Sequence, residues 1–441
     1  MERNLRREQL LAILSLGLVR PAPALAGSAA EAITAAGPEV AARLLFRHKV
    51  ANIALTRLPG LGTPDADATA TLLAAARASF NDRYATSPEV LDVLRRGAAE
   101  RGVVVRPMKG MAVEAWYPPG MPRDVGDLDV WVATGAEGWD LAAVLREHGY
   151  EYAPEELPWF KSAADGTRYG QMRLVEPGRR TVSVDVHVGP YSVRYCGVLT
   201  LGQDAATAPW QALSDEDLCC AAVANAAGDC FLDAKTVNDL VLALDRPLDL
   251  ERVARALAGP GLTGFLAAAL DEVAATSFLE GAAADRLRAL RALAGEATEA
   301  VRLTGTVDPV ARAHLVRDHT RAVARSQHGL DDEAAGRLAG DALAAYLGGS
   351  EPTLVPGASR AELPASSPWT CVRLVPAGSA AALAGGSPAE VGWTPARGAA
   401  ADLAVVARPE GDLVHAGGDV FLPTVDYRLA EPLVRAAARA R

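Results

Sequence analysis

Cysteine is scarce in this sequence of 441 residues, and the few cysteines follow no ligand spacing. The five are Cys196, Cys219, Cys220, Cys230 and Cys371. No two of them form a C-x-x-C pair, which argues against a structural zinc site, and their odd number argues against a disulfide framework. Proteins without such a framework are typical of a reducing compartment, so we predict a cytoplasmic location.

Long uncharged apolar runs are also lacking. A membrane-spanning helix needs about 18 or more such residues, and no stretch of the sequence reaches that length. At the N-terminus, Leu10–Val19 follows three arginines and precedes Ala24-Leu25-Ala26, which resembles a signal peptide with a cleavage site. Glu8 and Gln9 stand directly before the run, however, and its apolar residues have helical spacing. We therefore expect an amphipathic helix here and no membrane partner.

Positive charge is in the minority, with 44 Lys and Arg against 54 Asp and Glu and a net charge of −10. Surfaces that bind nucleic acids are usually basic, so this balance argues against a nucleic-acid partner and favours a small molecule or a peptide. Half of the residues are hydrophobic, which suits a sizeable core, and the length suits two or three domains. The sequence leaves the oligomeric state open.

The most informative stretch of the chain runs from residue 103 to residue 132. Near its end, the segment Asp127–Val132 reads D-L-D-V-W-V. Successive side chains of a β-strand point to opposite faces, so Asp127 and Asp129 share one face, about 7 Å apart along the strand. Such carboxylates repel each other unless a cation neutralises them, and oxygen ligands favour Mg²⁺ where phosphate is also bound. A solvated strand end is the alternative.

The motifs of this region resemble the nucleotidyltransferase superfamily, which has the fold of DNA polymerase beta and kanamycin nucleotidyltransferase. More narrowly, they resemble the bacterial nucleotidyltransferase family 5, whose pattern is K-G, Y-P, R-x-x-x-D-[IL]-D and V-D-[LV]-H. The matching residues are Lys109-Gly110, Tyr117-Pro118, Arg123, Asp127-Leu128-Asp129 and Val184-Asp185-Val186-His187. The resemblance is tight over roughly 100–190 and loose over 30–245.

A further acidic residue completes the predicted metal site. Strands over Tyr169–Glu176 and Arg180–Val188, joined by a Pro-Gly-Arg turn, predict a hairpin. Valines line one face of its second strand, and Asp185 and His187 lie on the other face. The family keeps its third metal ligand or general base at this place. The resemblance therefore implies that Asp185 joins the two earlier aspartates as catalytic residues that bind two Mg²⁺ ions, with Mn²⁺ as the alternative metal.

The resemblance also implies residues that bind the nucleotide. Gly110 begins a helix and allows close approach of a phosphate, and Lys109 beside it supplies a positive charge. Arg123 would bind a phosphate or a carboxylate through its planar guanidinium. A surface lysine is the alternative for Lys109, and an ion pair with Asp124 or Glu114 is the alternative for Arg123.

Three further residues are assigned to the substrate: His187, Arg173 and Asp239. His187 shares a face with the aspartate two residues before it, where it orients that carboxylate or contacts the substrate, and a structural histidine is the alternative. Arg173 lies on the hairpin and would lie over the nucleotide, with a solvated side chain as the alternative. Asp239, or its neighbour Asn238, stands in the predicted helix Phe231–Leu244 and corresponds to an aspartate that this family carries before an apolar run.

The fold class implied is α+β, with a small mixed β-sheet nucleotidyltransferase core embedded between helical N-terminal and C-terminal regions, and with a small α+β unit at the C-terminus. The predicted divisions are a helical N-terminal region over 1–101, the core over 102–200, a helical domain over 201–348, a linker over 349–370 and the small unit over 371–441. The linker is predicted from its Gly, Ser and Pro content. Single helices are expected over Val40–Thr56 and Arg428–Arg439.

The function implied is that of a magnesium-dependent enzyme. It would transfer an NMP, by default AMP from ATP, to a small-molecule or peptide acceptor in a biosynthetic or tailoring pathway and release pyrophosphate. A second hypothesis is an inactive protein of this fold that binds a nucleotide or a partner, since a side-chain hydroxyl is missing after Gly110. A third is a toxin-like tRNA nucleotidyltransferase, against which the acidic composition argues. The sequence identifies neither the acceptor nor the base.

Overall fold

The protein forms two compact units. The computed structural model describes residues 5–153, 156–163, 165–178, 181–193, 197–202, 204, 208–298, 301–304, 309–347, 371–377, 404–406 and 413–424. Unit 1 comprises Met1–Ala85, Met108–Gly126 and Leu213–Ala322, and unit 2 comprises Thr86–Pro107, Asp127–Ala212 and Val323–Arg441. The predicted linker 349–370 and the predicted helix Arg428–Arg439 lie outside the described residues.

Helices make up most of unit 1 and part of unit 2. In chain order they are α1 (Arg7–Ser15), α2 (Pro23–Gly27), α3 (Ala29–Ala36), α4 (Pro38–Arg47), α5 (Ala51–Arg57), α6 (Pro64–Tyr84), α7 (Ser87–Arg101), α8 (Lys109–Val113), α9 (Gly135–Glu147), α10 (Asp215–Gly228), α11 (Ala234–Leu244), α12 (Leu250–Ala258), α13 (Thr263–Thr276), α14 (Gly281–Ala294), α15 (Pro309–Ser326) and α16 (Asp332–Leu347). Short 3₁₀ turns follow at Leu58–Leu61 and Glu114–Trp116. Across the described part of the chain, no helix combines the length and apolar character that a bilayer crossing requires.

The single helix predicted over Val40–Thr56 is wrong, because the chain breaks it into α4 and α5. At the break, Lys49 has a left-handed backbone with φ of 56°. The new helix then begins with two backbone N–H groups, of Ala51 and Asn52, that donate to the Asp124 carboxylate at 2.9 and 2.8 Å. A carboxylate at a helix N-terminus satisfies N–H groups that lack a partner within the helix. The acceptor lies far away in sequence, so the local pattern does not reveal the break.

Unit 2 contains a mixed β-sheet. Its strands are β1 (Arg106–Pro107), β2 (Asp127–Val132), β3 (Glu151–Tyr152), β4 (Trp159–Ser162), β5 (Arg168–Val175), β6 (Ser183–Val188), β9 (Val372–Pro376), β10 (Ala404–Val406), β11 (Leu413–Ala416) and β12 (Asp419–Thr424), while β7 (Tyr191–Val193) and β8 (Gly197–Leu199) pair with each other. The order of the strands is β1-β2-β6-β5-β4-β9-β12-β11-β10, and β3 also pairs with β5. Strands β2 and β6 are parallel, and the other neighbouring strands are antiparallel. This sheet with its helices confirms the α+β class.

The described strands of the C-terminal region continue the same sheet. Strand β9 pairs with β4, where Phe160 lies opposite Val372. Phe421 of β12 lies against two aromatic rings of the earlier chain, with ring centroids 5.2 Å from Trp139 and 5.3 Å from Tyr152. Strands β9–β12 are therefore held by backbone pairing and by a shared aromatic cluster.

One face of the central strands packs against helix α9. The register aligns aliphatic residues of β2 and β6 and of β6 and β5, and Met172, Val186 and Val130 form one such row. Helix α9 begins with a capping box between Thr134 and Glu137. It approaches the sheet so closely that a Cβ added at Gly138 would stand 2.6 Å from Val188 Cγ2. The aliphatic row is thus buried, and polar side chains are left for the opposite face.

Candidate metal centre

Two acidic residues are aligned by the pairing of strands β2 and β6. Strand β2 has the predicted bounds, and alternation places Asp127 and Asp129 on its polar face. Because β2 and β6 run parallel in this register, Asp129 lies directly opposite Asp185. The two residues are 4 % and 3 % exposed. The sheet therefore brings the three predicted carboxylates onto one face, with the closest pair buried side by side.

The imidazole of His187 completes the buried cluster. His187 lies two residues after Asp185 on β6, and its Nε2 is 2.9 Å from Asp129 Oδ1. One ligand atom from each of Asp129, Asp185 and His187 lies within 4.8 Å of the others. The sequence placed His187 beside Asp185, whereas the structure bonds it to Asp129 across the strands. Asp127 is farther along the face and is half-buried, with 36 % of its side chain exposed.

Arg173 lies in the middle of the carboxylates. Strand β5 pairs with β6 so that Arg173 is directly opposite Asp185. Its Nε donates to Asp185 Oδ1 at 2.6 Å and its Nη2 donates to Asp185 Oδ2 at 3.0 Å. The same Nη2 donates to Asp127 Oδ2 at 2.9 Å, and Nη1 donates to Glu156 Oε2 at 2.6 Å. The guanidinium thus bridges three carboxylates, and the predicted contact of Arg173 with the nucleotide stays a prediction.

The charges in the centre shift the pKa values of its residues. Burial raises the pKa of Asp185, the nearby charges of Asp129 and Asp127 raise it further, and Arg173 offsets only part of that effect. Burial alone would lower the pKa of Arg173, but Asp185, Glu156 and Asp127 hold it above its usual value. Carboxylates that lie this close to one another, three of which accept hydrogen bonds from Arg173, are the electrostatic condition that favours binding of a cation.

The donor set fits a divalent cation. It offers buried carboxylate oxygens from Asp129 and Asp185, an imidazole nitrogen from His187, and a further carboxylate from Asp127 on the same face. Carboxylates are the ligands of Mg²⁺ and Mn²⁺, and an imidazole is accepted by Mn²⁺ and by softer metals. His187 can act in either of two ways, as a ligand or as a hydrogen-bond donor that orients the Asp129 carboxylate.

Two residues of the centre were not predicted from the sequence. Glu156 accepts a hydrogen bond from Arg173, and Gln171 Nε2 donates to Asp185 Oδ2 at 3.0 Å. Alternation along β5 could have identified Gln171, because residues two apart in a strand share a face. No local signal identifies Glu156, since it lies in the loop before β4 and reaches the site only through the fold.

The predicted nucleotide and substrate residues Arg123 and Asp239, both in unit 1, bind each other. Arg123 Nε and Nη2 donate to the two oxygens of Asp239 at 3.0 and 2.8 Å, and the Tyr117 hydroxyl donates to Asp239 at 2.7 Å. Arg123 and Asp239 are 5 % and 2 % exposed. Burial would lower the pKa of Arg123, but Asp239 raises it well above the usual value. The predicted contacts of this pair with nucleotide and substrate stay predictions.

The alternative ion pairs considered for Arg123 are replaced by other contacts. Asp124 caps helix α5 as described above, and Glu114 accepts a short hydrogen bond from the Tyr84 hydroxyl. Sequence spacing could not identify Asp239 as the partner of Arg123, because the two residues are 116 positions apart in the chain.

Gly110 lies at the start of α8 and is buried against Arg123. A Cβ at this glycine would stand 2.8 Å from Arg123 Nη1 and 3.1 Å from Val125 Cγ1. The residue is therefore required for packing, whatever it does toward a phosphate. Lys109 before it has a left-handed φ of 48° and is partly buried. The predicted phosphate contacts of Lys109 and Gly110 stay predictions.

A comparison with known protein families matches the part of the chain that contains the acidic strands β2 and β6. Residues 34–276, more than half of the 441, match a family described as uncharacterised nucleotidyltransferase. The matched range contains β2 and β6 with their carboxylates. Neither the search of curated proteins nor the search of solved structures found a match. The predicted resemblance is therefore confirmed, and the chain belongs to this family of uncharacterised nucleotidyltransferases.

Proposed function

We propose that the protein is a metal-dependent enzyme that transfers an NMP from an NTP to a small-molecule or peptide acceptor and releases pyrophosphate. ATP and Mg²⁺ are the default substrates and metal, with Mn²⁺ as the alternative, in a biosynthetic or tailoring pathway. The observation that carries the proposal is the buried alignment of Asp129 with Asp185 beside His187, on strands that match a nucleotidyltransferase family.

Each residue of the centre has a role that follows from its position. A divalent cation, when bound, neutralises phosphate charge and lowers the pKa of an attacking hydroxyl. Asp129 and Asp185 would hold it, with Asp127 available for a second ion, and His187 would fix the Asp129 carboxylate. Asp185 is also the residue that we assign to removal of the acceptor proton, because its carboxylate belongs to the buried cluster and contacts the partly exposed Arg173.

The nucleotide side of the proposal depends on the family resemblance. Lys109 and Gly110 match its K-G motif and are assigned to the phosphates. Arg123 and Asp239 are assigned to the ion pair that they form with each other. This pair also fixes the Arg123 side chain against which Gly110 packs. The acceptor is left as a hydroxyl, phosphate or carboxyl group, since the described residues carry no feature that selects among them.

The experiment measures pyrophosphate release from each of four NTPs with Mg²⁺ or Mn²⁺ and a panel of hydroxyl, phosphate and carboxyl acceptors. We expect the Asp129→Asn variant to lose about 10²- to 10³-fold in rate, since the bound metal contributes several kcal/mol to the transition state. Asp140→Asn, an exposed carboxylate of the same unit, is the matched control and keeps the wild-type rate. Equal turnover by the wild type and Asp129→Asn would refute the proposal.

The inactive nucleotide-binding protein remains the second candidate, and one feature favours it. Met111 follows Gly110, so the side-chain hydroxyl that the superfamily uses at the triphosphate is missing. Binding of an NTP in a calorimetric titration, with no turnover across the whole acceptor panel, would favour this candidate. Inclusion of total tRNA in the panel tests the toxin-like alternative, for which labelled RNA is the positive result.

A further inference from the structure

Arg173 holds the oxygen atoms that a cation would bind. Its guanidinium donates to both oxygens of Asp185 and to Asp127 Oδ2, at distances of 2.6 to 3.0 Å. We propose that Arg173 acts as a competing counter-cation: it occupies these carboxylates while the metal is absent and leaves them for a nucleotide phosphate when metal and NTP bind together. This inference rests on the proposed function and extends it to the order and cooperativity of binding.

The position of Arg173 is set by the sheet. Its Cα is in register with Asp185, and Gln171 is in register with His187, so the polar residues of β5 directly face those of β6. Directly opposed residues of paired strands have Cβ atoms about 4.5–5.5 Å apart. The guanidinium therefore reaches the Asp185 carboxylate without any rearrangement of the backbone.

Metal and guanidinium compete for the same place. Mg²⁺ binds carboxylate oxygens at about 2.0–2.1 Å. A cation held by Asp185 would stand close to the Arg173 nitrogens that donate to the same carboxylate, and the two positive charges would repel each other. Full occupation by a divalent ion thus requires that the guanidinium withdraws.

Arg173 has a route out and a ligand to receive it. Its side chain is 25 % exposed, and its third partner, Glu156, is 34 % exposed, so the guanidinium lies toward the open side of the cluster. A guanidinium that loses a carboxylate binds a phosphate with the same two-pronged geometry. An NTP would therefore supply both the negative charge that stabilises the bound metal and the phosphate oxygens that accept hydrogen bonds from Arg173. Metal and nucleotide should then bind with positive coupling.

The test measures Mn²⁺ affinity by electron paramagnetic resonance, with and without an ATP analogue whose α–β bridging oxygen is replaced by methylene. Arg173→Gln should bind Mn²⁺ alone about tenfold more tightly than the wild type, and the analogue should increase its Mn²⁺ affinity by a smaller factor than in the wild type. Arg173→Lys keeps the positive charge but loses the planar guanidinium, so its Mn²⁺ affinity should lie between those of the wild type and Arg173→Gln. Arg96→Gln, an exposed arginine of the same unit, is the control and should match the wild type.

A second measurement uses the unaltered protein, so that misfolding of a variant cannot decide the result. Phenylglyoxal modifies accessible guanidinium groups, and mass spectrometry gives the rate at Arg173. We expect slow modification without metal, faster modification with Mg²⁺ alone, and slow modification again with Mg²⁺ and the analogue. A rate that is the same in all three conditions, or an unchanged Mn²⁺ affinity in Arg173→Gln, would overturn the inference.

Failure of this inference can be told apart from failure of the proposed function. Asp129→Asn is measured in the same Mn²⁺ titration, because it removes a predicted ligand that Arg173 does not contact in the bonds described above. If Asp129→Asn binds Mn²⁺ as the wild type does, the metal centre itself is refuted. If Asp129→Asn loses Mn²⁺ while Arg173→Gln is unchanged, only the role of Arg173 is refuted.

Discussion

Two kinds of buried charged cluster occur among the described residues. Arg123 and Asp239 form a two-pronged pair in which a tyrosine hydroxyl also donates to the carboxylate, so the charges are matched. Around Asp129 and Asp185, by contrast, carboxylates lie close to one another, and burial raises the pKa of Asp185. The matched pair supports the fold, whereas the carboxylate cluster favours a ligand of positive charge. The two kinds should respond differently to substitution.

The matched pair should be needed for stability. Asp239→Asn leaves Arg123 charged and buried without its partner, which costs about 3–5 kcal/mol in the free energy of unfolding. Urea denaturation followed by circular dichroism measures the loss. Glu251→Gln removes one partner of the exposed pair with Arg255 and is expected to change stability by less than about 1 kcal/mol. Similar effects for the two substitutions would show that the buried pair is not structural.

The carboxylate cluster should be needed for metal affinity instead. His187→Phe fills a similar volume but removes the nitrogen that contacts Asp129. We expect a loss of about 10- to 100-fold in Mn²⁺ affinity, the range found when the partner of a metal ligand is removed. His187→Gln keeps a donor and should retain more of the affinity. Equal affinity in wild type and His187→Phe would remove His187 from the centre.

At the scale of elements, alternation along strands carried most of the predictive power. It predicted the bounds of β2 and the shared face of Asp127 and Asp129, because a strand has a period of two residues. It also predicted the hairpin of β5 and β6. It could not predict that β2 and β6 are parallel neighbours, since pairing depends on the whole sheet. For the same reason the place of Arg173 among the carboxylates was not foreseen.

Helix α8 offers a test of why Gly110 is a glycine. Gly110→Ala places a Cβ 2.8 Å from Arg123 Nη1, and that guanidinium cannot give way because Asp239 holds it. We expect a loss of about 1–3 kcal/mol in unfolding free energy, measured by urea denaturation. Gly336→Ala, within α16 and with no atom within 4 Å of the added Cβ, is the control and should gain up to about 1 kcal/mol. Full stability of Gly110→Ala with weakened NTP binding would instead favour the phosphate role.

His48 links three elements and should make stability depend on pH. Its Nδ1 accepts from the N–H of Ala234 at the start of α11, and its Nε2 donates to the Thr304 carbonyl, an arrangement that requires the neutral ring. Burial lowers the pKa of His48 from 6.5 to about 4. As the pH falls, His48 takes up a proton in the unfolded chain before it does so in the folded protein. Its contribution to the free energy of unfolding is therefore complete above pH 6.5 and is lost as the pH falls toward 4.

The expected loss from His48 is about 2–3 kcal/mol between about pH 7.5 and about pH 4.5. Denaturation of the wild type and of His48→Gln across that range measures it, because the amide can make both hydrogen bonds without titrating. The variant should show the flatter profile. Parallel profiles for the wild type and His48→Gln would contradict the assignment.

At the scale of the whole molecule, composition and motifs predicted the class and the family, and the predicted division of the chain into domains stays a prediction. The K-G, D-L-D and V-D-V-H motifs led to the family that the comparison confirms. The C-terminal region carries no such motif, and its short strands were predicted as a small unit of their own. The backbone groups at the edge of a strand can pair with many other strands, and the sequence does not specify which one. The pairing of β9 with β4 could therefore not be deduced.

The C-terminal strands should therefore stabilise the sheet that carries the metal centre. Phe421 is fully buried and packs against Trp139 and Tyr152, so Phe421→Ala should cost about 3–5 kcal/mol. Hydrogen exchange read by mass spectrometry should show lost protection in β4 and α9 as well as in β12. Phe278→Ala, at a phenylalanine that is 51 % exposed, should change stability by less than about 0.5 kcal/mol. Loss of protection confined to β9–β12 would mean that these strands fold as an independent unit, and the centre would then not depend on them.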